Sequence, residues 1–275
     1  HINYDAAHVA GLIAGGEFQD PLREGVDTMT MSTHKTLFGP QGGLVLAFEK
    51  NADAIKKATF PGLTSSHHIH HMAAKAITFA EALEFGKDYA AQTVKNAKAL
   101  AVALNDSGFK VLGEKKGFTQ SHQAVVNVLD YGDGGKIEAD LEKANIIVNR
   151  QLIPGDIKAK RHYMHPGGIR LGSSEVTRLG MKESEMQQIA SFIKQIVINK
   201  KDAAHMPVVV AMKTKDGSEV RKILPGIKKR DTVTIKSESF PEKISIDQIN
   251  KLDCFDHDAE LNNFEILFLS PFSNE

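Results

Sequence analysis

Asp5-Ala6-Ala7-His8-Val9-Ala10-Gly11 and, further along, Ser32-Thr33-His34-Lys35-Thr36 are the two stretches whose reading decides the fold. His1-Ile2-Asn3-Tyr4 runs into the first with no cap or turn chemistry ahead of it, so the sequence reads as starting inside a β-strand and as a fragment of something longer. Val9 to Gly16 is small and apolar, Asp20-Pro21 makes a turn, and Val26 to Met31 has the β-branched content of a buried strand. Ser32 to Thr36 is polar, Gly39-Pro40-Gln41-Gly42-Gly43 is a loop, and Leu44 to Phe48 is a third apolar strand. Asp5 and His8 thus fall at the end of one strand and Lys35 at the end of its neighbour. Taken singly, each is more often an ordinary polar strand end than a functional group. In open α/β sheets, however, ligands bind just beyond the carboxyl ends of the strands, where these three would converge. An aspartate, a histidine and a lysine suit pyridoxal 5′-phosphate. The lysine amine forms a Schiff base, the carboxylate pairs with the pyridinium nitrogen, and the imidazole bonds or stacks at the ring.

The same residues resemble a known family. Asp5 to Gly16, followed by Ser32 to Gly43, is similar to the active-site region of serine hydroxymethyltransferase. Two more segments resemble it in the expected order: Phe60-Pro61-Gly62 leading to His70-His71-Met72-Ala73-Ala74-Lys75-Ala76, and Gly168-Ile169-Arg170-Leu171-Gly172 ahead of Thr177-Arg178-Leu179-Gly180. The resemblance covers roughly residues 1 to 200. It implies a fold-type I pyridoxal phosphate-dependent transferase, α/β in class, with a partial large domain and a C-terminal α/β small domain, to which the residues beyond add what reads as a small β-rich tail. It also implies reversible one-carbon transfer from serine to a reduced pterin, tetrahydrofolate or tetrahydromethanopterin, giving glycine, in a homodimer. Lys35 matches the lysine that carries the cofactor, Asp5 the aspartate under the pyridine nitrogen, and His8 the histidine near the phenolic oxygen. Ser32, Thr33 and His34 match the polar lead-in. Arg170 matches the arginine that grips the substrate carboxylate, for which a planar guanidinium is better shaped than an ammonium. Read without the resemblance, Arg170 between glycines is a solvated loop residue.

Departures accompany the match. Ser65-Ser66-His67-His68 stand where the family has a glycine pair against the cofactor phosphate, leaving serine hydroxyls to meet it, and Gln41 replaces the usual arginine. The serine-rich phosphate loop, the ring-stacking residue and the proton-transfer glutamate and tyrosines that would precede Asp5 are not in this sequence. The expectation is that this polypeptide alone binds the cofactor weakly and catalyses little. The alternatives are a threonine-type aldolase that uses pyridoxal phosphate without a pterin, and a non-catalytic dimerisation fragment.

Outward from the motifs, His70 to Leu83 reads as a helix that continues past Tyr89 into a second, ending near Asn105. Ala124 to Leu129 is a strand, Gly134-Gly135 a break, Lys136 to Ala144 a helix, Ile146 to Val148 a strand, and Glu183 to Lys200 a last helix. Beyond it, Val208 to Met212 and Val220 to Leu224 flank the hairpin turn Asp216-Gly217, and Thr232 to Lys236 is a further strand. The division expected is residues 1–90 as the C-terminal part of the cofactor-binding domain, 91–202 as a small α/β domain and 203–275 as a β-rich extension. The last does not match the family's ending.

Composition bounds the rest. The 275 residues are 25% charged and 41% hydrophobic, ordinary for a globular chain, with 34 basic residues against 34 acidic ones. Charge alone would not draw it to nucleic acid or to a membrane. No run approaches the roughly 18 apolar residues of a membrane span, no leader opens the sequence, and the single cysteine, Cys254, forms no internal disulfide. A cytoplasmic protein is expected. His67-His68-Ile69-His70-His71 could place imidazoles around an ion, but without cysteines or carboxylates nearby it reads as a polar helix start, and no metal is expected. Lys228-Lys229-Arg230 reads as a solvated turn, and Cys254 as a small buried residue.

Overall fold

The computed structural model describes residues 1–201 throughout and, after them, the backbone of five strands. β1 (Asn3–Asp5) lies parallel to β2 (Thr28–Ser32), with Asp5 opposite Thr30, and β3 (Gly43–Ala47) closes antiparallel on β2, with Ser32 opposite Gly43. The parallel pair requires a crossover. It contains α1 (Ala10–Ala14), within the stretch that reads as small and apolar. Glycine lets α1 come close on two sides. A Cβ on Gly11 would strike the backbone carbonyl of Thr36, and one on Gly15 would strike the side chain of Ala90 and lie 2.7 Å from the carbonyl oxygen of Gly86. Ala6, Ala10, Met29, Met31 and Leu37 form the small core beneath this sheet.

α2 (Ala52–Lys57) leads towards α3 (Ile69–Asp106), which is one continuous helix of 38 residues where the sequence reading expected two. No proline or capping residue interrupts the stretch around Tyr89, and the buried Gly86 lowers helix propensity by only about 1 kcal/mol, too little to break a helix packed on both sides. The amino-terminal half carries exposed apolar side chains, Ile69, Ile77 and Leu83 at 75%, 64% and 90%. The carboxy-terminal half buries Leu100, Ala101 and Leu104.

Those three enter a second, larger core under the antiparallel sheet β4 (Lys110–Val111), β5 (Gln123–Asn127), β7 (Gly168–Gly172) and β6 (Asn149–Gln151), in that spatial order. α4 (Gly134–Glu142) and α6 (Glu183–Val197) complete it through Ile137, Leu141, Met186, Ala190 and Ile193. Strand alternation fixes what points inward. Ala124, Val126, Ile169 and Leu171 are buried in the core, so Gln123, Val125 and Arg170 lie on the opposite face. Three local expectations shift. Gly134-Gly135 begins α4 instead of breaking the chain, because the Asp133 side chain accepts from the Lys136 N–H at 3.0 Å as N-cap and a Cβ on Gly134 would strike the Gly168 carbonyl. The expected strand at Ile146 to Val148 is instead β6, three residues later, since Asn145 with φ +61° is still turning the chain. Gly168 to Gly172 is a strand rather than a loop, hydrogen-bonded on both edges.

α5 (Ser174–Arg178) leaves β7 and is tied to α3 by the fully buried Asn96, whose amide donates to Thr177 Oγ1 at 2.9 Å and to the Met181 carbonyl at 2.7 Å. Further on, β8 (Val208–Lys213) pairs antiparallel with β9 (Glu219–Leu224) and with β12 (Ile266–Phe268), while β10 (Thr232–Thr234) pairs with β11 (Lys243–Ser245). Asp216-Gly217, Lys228-Lys229-Arg230 and Cys254 lie outside the described residues. Among the described residues no helix is long and apolar enough to cross a membrane.

Candidate active site

Asp5 is the last residue of β1, and its Oδ1 accepts the Ala7 N–H at 2.9 Å, a tight side-chain turn that swings the chain from strand into α1. His8 follows on that turn. Thr36, buried, donates its hydroxyl to the His8 carbonyl at 3.0 Å while accepting the Gly11 N–H at 2.9 Å, which pins the segment after β2 against the start of α1. The outcome is that Lys35 Nζ stands 3.3 Å from His8 Nε2. The other ring nitrogen, Nδ1, lies 3.3 Å from the side-chain amide of Gln123, reaching over from β5. Arg170 shares the Gln123 face of that sheet and donates to Asn149 Oδ1 at 3.4 Å.

The electrostatics put the same groups in one field. Partial burial, then the charges of Lys35 and Arg170, hold the His8 imidazole below its usual proton affinity, and the Asp5 carboxylate opposes them. Behind His8 lies His122, buried, its ring nearly parallel at 20° and 6.1 Å between centroids. Burial first, then His8 and Arg170, push it down to about 4, so it is neutral at pH 7, and its Nδ1 finds no hydrogen-bond partner.

Asp5, His8, Lys35 and Arg170 are therefore brought together. The rest of the expected set is placed differently. Ser32 is half-buried at the end of β2. Thr33 is fully buried and donates to the Pro40 carbonyl at 2.6 Å, and the exposed His34 accepts the Gly42 N–H at Nδ1, 3.4 Å away, so both brace the loop at 39–43. Ser65 and Ser66 are exposed in the connection before α3, and among the described residues neither hydroxyl makes a hydrogen bond. The rings of His68, His70 and His71 lie 4.3 to 5.5 Å apart, and among the described residues no group of three ligand-type side chains is placed to hold a metal ion. Sequence reasoning missed Thr36 as a brace, and His122, Gln123 and Asn149 altogether. Alternation within 123–127 carries a signal, since it sets Gln123 on the face opposite the buried Ala124 and Val126.

The sequence model of the family described as serine hydroxymethyltransferase matches residues 1–193. The chain belongs to the serine hydroxymethyltransferase family. The serine hydroxymethyltransferase of Nitrosopumilus maritimus is 82% identical over 202 residues, which are 74% of this chain and 46% of that protein. That of Cenarchaeum symbiosum is 76% identical over 202 residues, with the same shares. The chain thus spans less than half the length of these curated relatives. Among solved structures, L-threonine transaldolase from Pseudomonas fluorescens in its internal aldimine state superposes with a TM-score of 0.65 at 36% identity, over 74% of this chain and 45% of that one. The fold is that of the fold-type I pyridoxal phosphate enzymes, mixed α/β. Within this chain the donor set fits such a cofactor. An amine faces an imidazole, a carboxylate beside them has one oxygen bonded only to its own turn, and a guanidinium lies across from both.

Proposed function

We propose that the protein to which this chain belongs transfers a one-carbon unit reversibly between serine and a reduced pterin, leaving glycine, and that these residues are the cofactor- and carboxylate-binding part of its site. The single observation that carries this is the 3.3 Å approach of Lys35 Nζ to His8 Nε2, with Asp5 and Arg170 acting on the same imidazole. Pyridoxal phosphate, when bound, supplies an electron sink for the pair released as the bond to the hydroxymethyl carbon breaks. Lys35 holds the cofactor through its amine. Asp5 offers its carboxylate to the ring nitrogen and keeps that nitrogen protonated. His8, its proton affinity held down by partial burial and by the charges of Lys35 and Arg170, orients the Lys35 amine and would help to hold the cofactor ring. Arg170 takes the serine carboxylate in a two-pronged grip, exchanging its long bond to Asn149 for a charge-assisted one. Ser32, Thr33 and His34 shape the approach to Lys35, and Ser65 and Ser66 contribute hydroxyls to the phosphate.

The division into 1–90, 91–202 and 203–275 belongs to the same proposal. So does a homodimer, supported by the apolar side chains exposed along the first half of α3. Cytoplasmic residence rests on the one cysteine of the sequence. The likeness to a threonine transaldolase favours a second reading, cleavage of threonine-like amino acids without a pterin. Pterin dependence of serine cleavage by the complete protein separates the two. For the site itself, the chain is incubated with pyridoxal phosphate, reduced with borohydride and mapped by peptide mass spectrometry. The expected result is label on Lys35 ahead of every other lysine, slowed at least tenfold by Asp5→Ala. Label spread evenly over the surface lysines would sink the assignment.

A further inference from the structure

Thr177-Arg178-Leu179-Gly180 resembles the family without a role attached to it, and the structure suggests one. Arg178, the last residue of α5, reaches across to the segment that follows Lys35. Its Nη1 donates to the Phe38 carbonyl at 2.8 Å, and its guanidinium carbon stands 5.5 Å from the centre of the Phe38 ring. The same ring meets Tyr89 of α3 edge-on, 5.0 Å between centroids at 81°. Tyr89 in turn donates its hydroxyl at 3.3 Å to the carbonyl of Ser174, the first residue of α5. Phe38 is thereby enclosed by α3 on one side and α5 on the other.

The enclosure matters because of the backbone it holds. Phe38 has φ +48°, in the left-handed region that a bulky side chain enters only when its surroundings impose it. In that conformation the Phe38 N–H donates to the Lys35 carbonyl at 2.9 Å, and the next N–H, of Gly39, donates to the Thr33 carbonyl at 2.7 Å. The turn carrying Lys35 is closed by two bonds, and the second, made by the residue that follows Phe38, depends on Phe38 keeping its unusual dihedral.

We infer that Arg178 is a positioning residue for Lys35: by gripping Phe38 through its carbonyl and its ring, it holds the turn that aims the Lys35 amine. The inference deepens the reading of Lys35 as the cofactor lysine and rests on it. Neither the charge of Arg178 nor its helix would suffice. A planar donor that can bond a carbonyl while lying over an aromatic face is required, which a lysine does not offer.

The test uses the whole chain, pyridoxal phosphate and borohydride as the probe, with trapping rates resolved lysine by lysine and amide hydrogen exchange followed on the peptide spanning 33–40. In the wild type Lys35 is trapped faster than Lys75 or Lys98. Arg178→Ala is expected to slow Lys35 about tenfold, leave the other two unchanged and raise exchange at 33–40. Phe38→Gly, which accepts the left-handed conformation but loses the ring, gives the same loss, and the double variant is no slower than either single one. Arg178→Lys, which keeps the charge, stays slow. It also replaces Arg178→Ala should circular dichroism show that variant unfolded. A wild type in which Lys35 is not the preferred amine overturns the cofactor reading and the inference with it. A preferred Lys35 that stays as fast in Arg178→Ala or Arg178→Lys, with exchange at 33–40 unaltered, overturns the inference alone.

Discussion

His122 is the residue whose surroundings make the sharpest demand. Unfolded, its imidazole takes up a proton near the ordinary pH 6.5; folded, burial and the neighbouring charges of His8 and Arg170 delay this to about 4. Between those two values the unfolded chain binds more protons than the folded one, so stability present above pH 6.5 is lost as pH falls towards 4. The loss is at most about 3 kcal/mol, because each unit of displacement corresponds to about 1.4 kcal/mol. His8 is displaced the same way and contributes with the same sign. Urea denaturation between pH 7 and 4 is expected to show this slope in the wild type and a clearly flatter one in His122→Phe, which keeps a ring against His8 without a titrating group. The depressed carboxyls of Asp27, Asp133 and Asp140 act with the same sign as pH falls, but equally in wild type and His122→Phe, so the difference between the two slopes reports His122. At this scale legibility was uneven. Asp5, His8 and Lys35 could be read from residues alone, because polar groups at strand ends declare themselves against apolar strands. Arg170 needed the resemblance, and Thr36, His122 and Gln123 escaped, since what they do depends on contacts between segments far apart in sequence.

Among the elements, α1 and α3 show how two helical glycines differ in consequence. A methyl on Gly11 has nowhere to go but the backbone carbonyl of Thr36, which cannot yield without moving Lys35. Gly11→Ala is therefore expected to destabilise by roughly 2 to 4 kcal/mol. A methyl on Gly86 would meet only the Ala82 Cβ, at an ordinary 3.7 Å. Gly86→Ala should raise stability by about 0.5 to 1 kcal/mol through helix propensity. Thermal and urea unfolding of the two variants check both signs, and a tolerated Gly11→Ala would contradict the packing described for α1. The same helix explains a misreading. The sequence reading divided this stretch near Tyr89, but nothing there ends a helix, and the nearby Gly86 weakens it without breaking it. The shift from Ile146–Val148 to Asn149–Gln151 has a comparable origin, an asparagine in the left-handed region that extends the turn.

For the molecule as a whole, the two cores differ greatly in size. Five buried side chains hold the β1–β3 sheet, whereas the second sheet and its helices share one continuous core of nineteen buried residues. Buried apolar contact governs local opening, so the first part should open at lower free energy than the second. Native-state hydrogen exchange is expected to show amides of residues 1–57 exchanging well before those of β5, β7 and α6, and equal protection would refute the ranking. The overall class, an α/β layer with a β-rich tail, was readable from alternating apolar patterns. How the two sheets face each other was not, because it is set by Gly15 against Gly86 and Ala90 and by Asn96 under α5, contacts that leave no periodic trace.

That arrangement makes the register of α3 a gauge. The helix touches α1 at Gly86 and Ala90 and enters the larger core from Leu100 onward. Each helical residue advances the screw by about 100°. One residue inserted near position 92 would therefore turn the Arg170 and Gln123 face about a quarter turn away from His8, with every side chain of the site still present. A loop remote from this centre can change length without moving it, but the count of residues between its two halves cannot change.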